Sequence, residues 1–86
     1  MQKTAADVYM KKQLAVTADR VHQARRKRGL TQKELARQCG FPYQVINRVE
    51  GGHQDVYAQR LALIADTLGV STDYLLGLTD KAGGEP

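Results

Sequence analysis

Tyr43, Gln44, Asn47 and Arg48 stand within six consecutive residues. On a helix, at about 100° per residue, they share one side, and Val45, Ile46 and Val49 share the other. That polar side is short of aliphatics and rich in groups that can read a base edge. A glutamine carboxamide can bond adenine at two points, and an arginine guanidinium can do the same for guanine. Gln44 and Arg48 are therefore the leading readers, and Asn47 is an alternative one. Tyr43 can stack, pack on a thymine methyl or bond a phosphate oxygen. Other chemistries are poorly served. His22 and His53 lie far apart, and neither has a second ligand at metal-binding spacing, so no metal is expected. No nucleophile–base pair or paired carboxylates can be placed in one pocket, so no catalytic residue and no cofactor is assigned. Cys39, the only cysteine, allows no internal disulfide. Its apolar slot beside Gly40 marks it as a small buried hydrophobe.

Elements that could hold such a face follow from the glycines, which punctuate the chain at Gly29, Gly40, Gly51-Gly52, Gly69 and Gly77. Short helical patterns lie between these stops, and β-branched alternation is missing, so the expected class is all-α. The first pattern runs to Arg28, with Val21, Ala24, Arg25 and Arg28 on one side. Arg25 to Arg28 span most of a helical circumference, so at least one of the four basic residues must turn inward. Thr31-Gln32-Lys33-Glu34 forms a capping box that opens a second helix, with Leu35, Ala36 and Cys39 apolar. The third runs from about Tyr43 to Glu50, with Pro42 at or just before its first position. The fourth spans about Tyr57 to Leu68 over an apolar stripe of Ala58, Leu61, Ala62, Ile64, Ala65 and Leu68, and Leu63 lies off that stripe. The fifth starts after Ser71 and carries Leu75 and Leu76. Residues Ala5 to Val16 also read as amphipathic helix, either fused to the first or separated from it by a Thr17 cap.

Charge divides the chain. From Arg20 to Arg48 eight Lys and Arg face one Glu, a net of +7, whereas Glu50 to Pro86 carries −4. One half is suited to a polyanion and the other would be repelled by it. The 86 residues suffice for one domain, and no apolar run approaches the roughly 20 residues of a membrane helix. The N-terminus lacks the apolar stretch of a signal peptide, so the default expectation is cytoplasmic.

The segment from Arg25 to Ala36, then Gly40, then Ile46-Asn47-Arg48-Val49-Glu50, resembles the Cro and phage-repressor family of helix-turn-helix proteins. The resemblance continues through Leu61, Ile64, Ala65, Leu68-Gly69-Val70-Ser71, Asp73 and Leu75-Leu76-Gly77, about Val21 to Gly77 in all. It implies a five-helix, lambda-repressor-like domain that binds double-stranded DNA. By the same resemblance Tyr43, Gln44 and Arg48 occupy base-reading positions. Gln32 would hold a phosphate or brace the readers, and the amides at the start of its helix would assist. Lys33 joins it as a phosphate candidate, with Gly52 and His53 in the loop after the third helix. Arg25 and Glu50 take the positions of an interior ion pair, which would identify the inward-turning arginine. Two departures stand out. Pro42 replaces the serine or threonine that usually caps the recognition helix. The loop Gly51-Gly52-His53-Gln54-Asp55 has no lysine or arginine, which predicts fewer phosphate contacts and a shallower salt dependence.

The expected organisation is an N-terminal helical extension over 1–16, the DNA-binding domain over 17–78 and a disordered tail over 79–86. The expected function is a sequence-specific transcriptional regulator, a repressor acting as a homodimer on an inverted repeat. The alternative is the same fold used as a protein-interaction module, as in antitoxin-like proteins. Leu63, together with Tyr9, Met10 and Leu14 of the extension, supplies candidate dimer contacts, with Leu78 beyond the fifth helix. The extension could instead pack on its own domain.

Overall fold

The computed structural model describes residues 3–53 and 56–83. Its helices run in the order α1 (Ala5–Lys27), α2 (Gln32–Cys39), α3 (Tyr43–Glu50), α4 (Ala58–Leu68) and α5 (Thr72–Leu75), with no strand among the described residues. Thr4 opens α1 with a capping box of its own. Its hydroxyl accepts from the Asp7 amide, and the Asp7 carboxylate accepts from the Thr4 amide, both at 3.1 Å. With a start signal upstream and no glycine or proline before Gly29, helix propagates through Thr17, which is buried inside α1 rather than capping a new helix. The extension and the first domain helix are thus one rod of 23 residues.

Each helix closes the same way. A residue two or three past its end donates its amide five residues back: Leu30 to Arg25, Phe41 to Ala36, His53 to Arg48, Val70 to Ala65 and Leu78 to Asp73. A left-handed glycine just before that donor makes the reversal possible. Three of the five donors, Leu30, Phe41 and Val70, also pack their side chains against the core, so the turn that satisfies the carbonyls there returns a hydrophobic group to the domain.

Val21 of α1, Leu35 of α2, Ile46 of α3, Ile64 of α4 and Leu75 of α5 are fully buried, one from each helix. Around them α1 packs on α3, α4 and α5, and α2 packs on α3 and α4. Ala58 and Ala62, expected in the buried stripe of α4, are exposed, because its inner face narrows to Leu61, Ile64, Ala65 and Leu68 at i, i+3, i+4 and i+7. The segment expected as a disordered tail is bonded back for part of its length. The Arg20 guanidinium donates to the Thr79 carbonyl at 2.7 Å, and the Ser71 amide donates to the Ala82 carbonyl at 2.7 Å. Residues 84–86 lie outside the described residues.

Candidate nucleic-acid interface

The site is built from α2, a tight turn and α3. Thr31 starts α2: its hydroxyl accepts from the Glu34 amide at 3.0 Å, and the Glu34 carboxylate accepts from the Thr31 amide at 2.8 Å. The Thr31 amide, and after it the Thr31 hydroxyl, stabilise the charged Glu34 carboxyl and hold it below the usual carboxylate range. Gly40, at φ +78°, turns the chain out of α2. A side chain would be strained in this conformation, although a Cβ would meet nothing within 4 Å. Backbone geometry, not crowding, fixes glycine here. Ala36 is buried, as a close helix crossing requires. Cys39 is buried too, its thiol directed at the Thr67 hydroxyl at 3.5 Å, and burial pushes the thiol pKa up. Pro42 stands immediately before α3 in extended backbone and offers no side-chain cap.

Beneath α3 lies a polar knot. Arg25 is the basic residue that turns inward, whereas Arg26, Lys27 and Arg28 stay exposed. Its Nε donates to Glu50 Oε2 at 2.6 Å and its Nη2 to Oε1 at 2.9 Å. Its Nη1 donates to the Leu30 carbonyl at 2.7 Å. Gln32 Nε2 donates to Glu50 Oε1 at 3.1 Å, and Asn47 Nδ2 donates to Gln32 Oε1 at 3.2 Å. The Glu50 side chain is only 3% exposed. Burial alone would raise its pKa, but the bonds from Arg25, Gln32 and His22 outweigh it and hold the carboxyl below its ordinary value. His22 was missed by the sequence reading. Its Nδ1 lies 2.9 Å from Glu50 Oε1 and 3.1 Å from Arg25 Nη2. A protonated Nδ1 donates to Glu50, and an unprotonated one accepts from Arg25. The available signal was its i, i+3 spacing from Arg25, which sets both on one side of α1.

Above this knot Tyr43, Gln44, Asn47 and Arg48 are all exposed on α3. Asn47 is held by Gln32, while Gln44 and Arg48 have no side-chain hydrogen bond among the described residues. Lys33 is exposed, with its ammonium 5.6 Å from the centre of the Tyr43 ring. Both line a concavity with Arg26, Gly29 and Thr31 at the start of α2. Gly52 and His53, the phosphate candidates of the loop, have their backbone amides already engaged. Their amides donate to the Val49 and Arg48 carbonyls, both at 3.1 Å, because they close the end of α3. What His53 keeps available is its exposed ring, seated over Gly51. Of the dimer candidates, Tyr9, Met10 and Leu63 are exposed and Leu14 is half-buried.

The pattern of the helix-turn-helix family matches residues 21–75. The chain belongs to the helix-turn-helix family, in its Cro type. This is a family of DNA-binding transcription regulators. Its α2–Gly40–α3 unit is the helix-turn-helix. A protein of Rhodospirillum rubrum, described as an uncharacterized transcriptional regulator in the ATPase CF(0) region, is 38% identical over 72 residues. That match takes in 84% of this chain but only 65% of the relative's length. A solved structure of a hypothetical transcription factor, NHTF, from Neisseria superposes with a TM-score of 0.72 at 33% identity. It covers 74% of either chain. No described helix of this helix-turn-helix protein is long and apolar enough to cross a membrane.

Proposed function

We propose that the protein is a sequence-specific transcriptional repressor that lays α3 in the major groove, without catalytic activity. The observation that carries this reading is the unpartnered outer face of α3, with Gln44 and Arg48 exposed above a buried, fully bonded support. Rigid support matters because base discrimination depends on donors held in place before contact. Arg48 then suits guanine O6 and N7, and Gln44 suits adenine N6 and N7. Asn47, bonded to Gln32, acts more as a positioning group than as a reader. The names of the Rhodospirillum and Neisseria proteins support a regulatory role.

One α3 contacts too few base pairs for useful specificity, so the operator is an inverted repeat read by a homodimer, with half-sites about 34 Å apart. Exposed Tyr9, Met10, Leu63 and Leu78 are the apolar groups available for that dimer. The test is selection of bound duplexes from a random DNA pool. An enriched inverted repeat supports the reading. Retention of no duplex at low salt overturns it in favour of a protein-interaction role.

A further inference from the structure

The N-terminal part of α1 lies outside the family match, yet it runs beside the end of the recognition helix. Gly52 marks the crossing: a Cβ there would sit 3.8 Å from the Ala18 side chain and 4.0 Å from the Leu14 carbonyl. Lys11, Ala15, Ala18 and His22 fall at i, i+4, i+7 and i+11, so they form one stripe along α1. With Gly51 and Gly52 opposite, that stripe lines a shallow groove. Gly51 follows Gln44, Asn47 and Arg48 by seven, four and three residues, so the groove continues the reading face of α3. Its floor is alanine and glycine, which lets a sugar-phosphate backbone approach closely.

Two carboxylates also face this groove, and each is already bonded. Glu50 is held by Arg25, and Asp19 accepts from Gln23 Nε2 at 3.0 and 3.2 Å. Lys11, exposed at the outer end, has no carboxylate partner among the described residues. The loop after α3 has no lysine or arginine, and its Gly52 and His53 amides are occupied. We infer that Lys11 is a DNA-phosphate contact, by which the extended first helix supplies in trans to the loop the cation that the loop lacks. The inference rests on the proposed DNA reading.

The test is the salt dependence of binding by Lys11→Ala, Lys11→Arg and Lys12→Ala, each on the selected duplex and on a scrambled one. Lys12 is exposed but does not line the groove, so its removal controls for net charge. Lys11→Ala should lower the slope of log K against log salt by about 0.9, the loss of one phosphate contact. Affinity should weaken equally on both duplexes, because phosphates carry no sequence. Lys11→Arg should restore the slope and Lys12→Ala should leave it. An unchanged slope in Lys11→Ala, or an equal fall in Lys12→Ala, overturns the inference while leaving the DNA reading intact. A wild type that binds neither duplex overturns the DNA reading first.

Discussion

Two arginines on α1, five residues apart, each reach a distant segment of the chain, and they do so by different means. Arg25 meets the end of the recognition helix through a doubly bonded carboxylate whose side chain is 3% exposed. Arg20 meets α5 and the segment after it through two neutral carbonyls, of Tyr74 at 3.0 Å and Thr79 at 2.7 Å. Its guanidinium also stacks 4.3 Å from the centre of the Tyr74 ring. Only its third partner, Asp80, is charged, and that side chain is 99% exposed. A buried ion pair fixes geometry and is costly to break, because the surviving charge is left without water or partner. A tie made of neutral carbonyls and a ring face stabilises without such a penalty. The difference suits their positions: one side of α1 must hold α3 still, and another only has to close the domain.

The largest effect should come from breaking the buried pair on one side. Glu50→Ala leaves Arg25 uncompensated and strips Gln32 and His22 of a shared acceptor. Chemical denaturation should show a loss of about 3–5 kcal/mol. A loss no larger than that of the Arg20 variant below would erase the distinction between the two ties. Glu50→Gln supplies a pH test of the same pair. Because the folded carboxyl holds its proton less tightly than the unfolded one, the unfolded chain binds more protons in acid. The wild type should therefore keep this contribution above the ordinary carboxylate range and lose it as pH falls through the lower, folded value. The acid limb of stability against pH should be flatter in Glu50→Gln, and equal limbs would remove Glu50 as a source of the acid sensitivity.

Arg20→Ala comes next, at about 1–3 kcal/mol, for bonds from a charged donor to two carbonyls. DNA affinity should not change, since the tie lies away from α3. A shift in affinity without loss of fold would show that the segment after α5 also positions the reading helix. Gln32→Ala should reverse that pattern. It cuts the link between Glu50 and Asn47 and should cost about 1 kcal/mol on the selected duplex. If Gln32 braces the readers, a scrambled duplex loses less. Equal losses on both would mean that it holds a phosphate instead.

The same contrast governs what was legible in the sequence. Local signals were plain: the Thr31–Glu34 box, the turn at Gly40 and the two faces of α3 depend on neighbours a few residues away. Arg25 could be narrowed to one of four by helical geometry, but its pairing with Glu50 came through family resemblance, since 25 residues separate them. The Arg20 tie, spanning 54 to 60 residues, left no trace at all, because nothing in the sequence says that a guanidinium will cap the Tyr74 and Thr79 carbonyls. Composition alone made the segment from Thr79 onward look disordered. The unbroken run of α1 was undecided for a different reason. Thr17 is a good capping residue, and only the Thr4–Asp7 box upstream makes its capping unnecessary.

The smallest effect is expected at Asp80. Its carboxylate lies 3.1 Å from Arg20 Nη2, so by distance it is an ion pair like that of Glu50. By environment it is not, because water screens the attraction and ordering two side chains offsets what remains. Asp80→Ala also leaves Arg20 bonded to both carbonyls and to the Tyr74 ring, so no buried charge is orphaned. The denaturation midpoint should match that of the wild type at physiological salt, and the double variant Arg20→Ala with Asp80→Ala should match Arg20→Ala alone. A midpoint in Asp80→Ala as low as in Arg20→Ala would mean that the carboxylate aligns the guanidinium on the two carbonyls. The exposed tie would then depend on its charge as the buried one does, and exposure would no longer separate them.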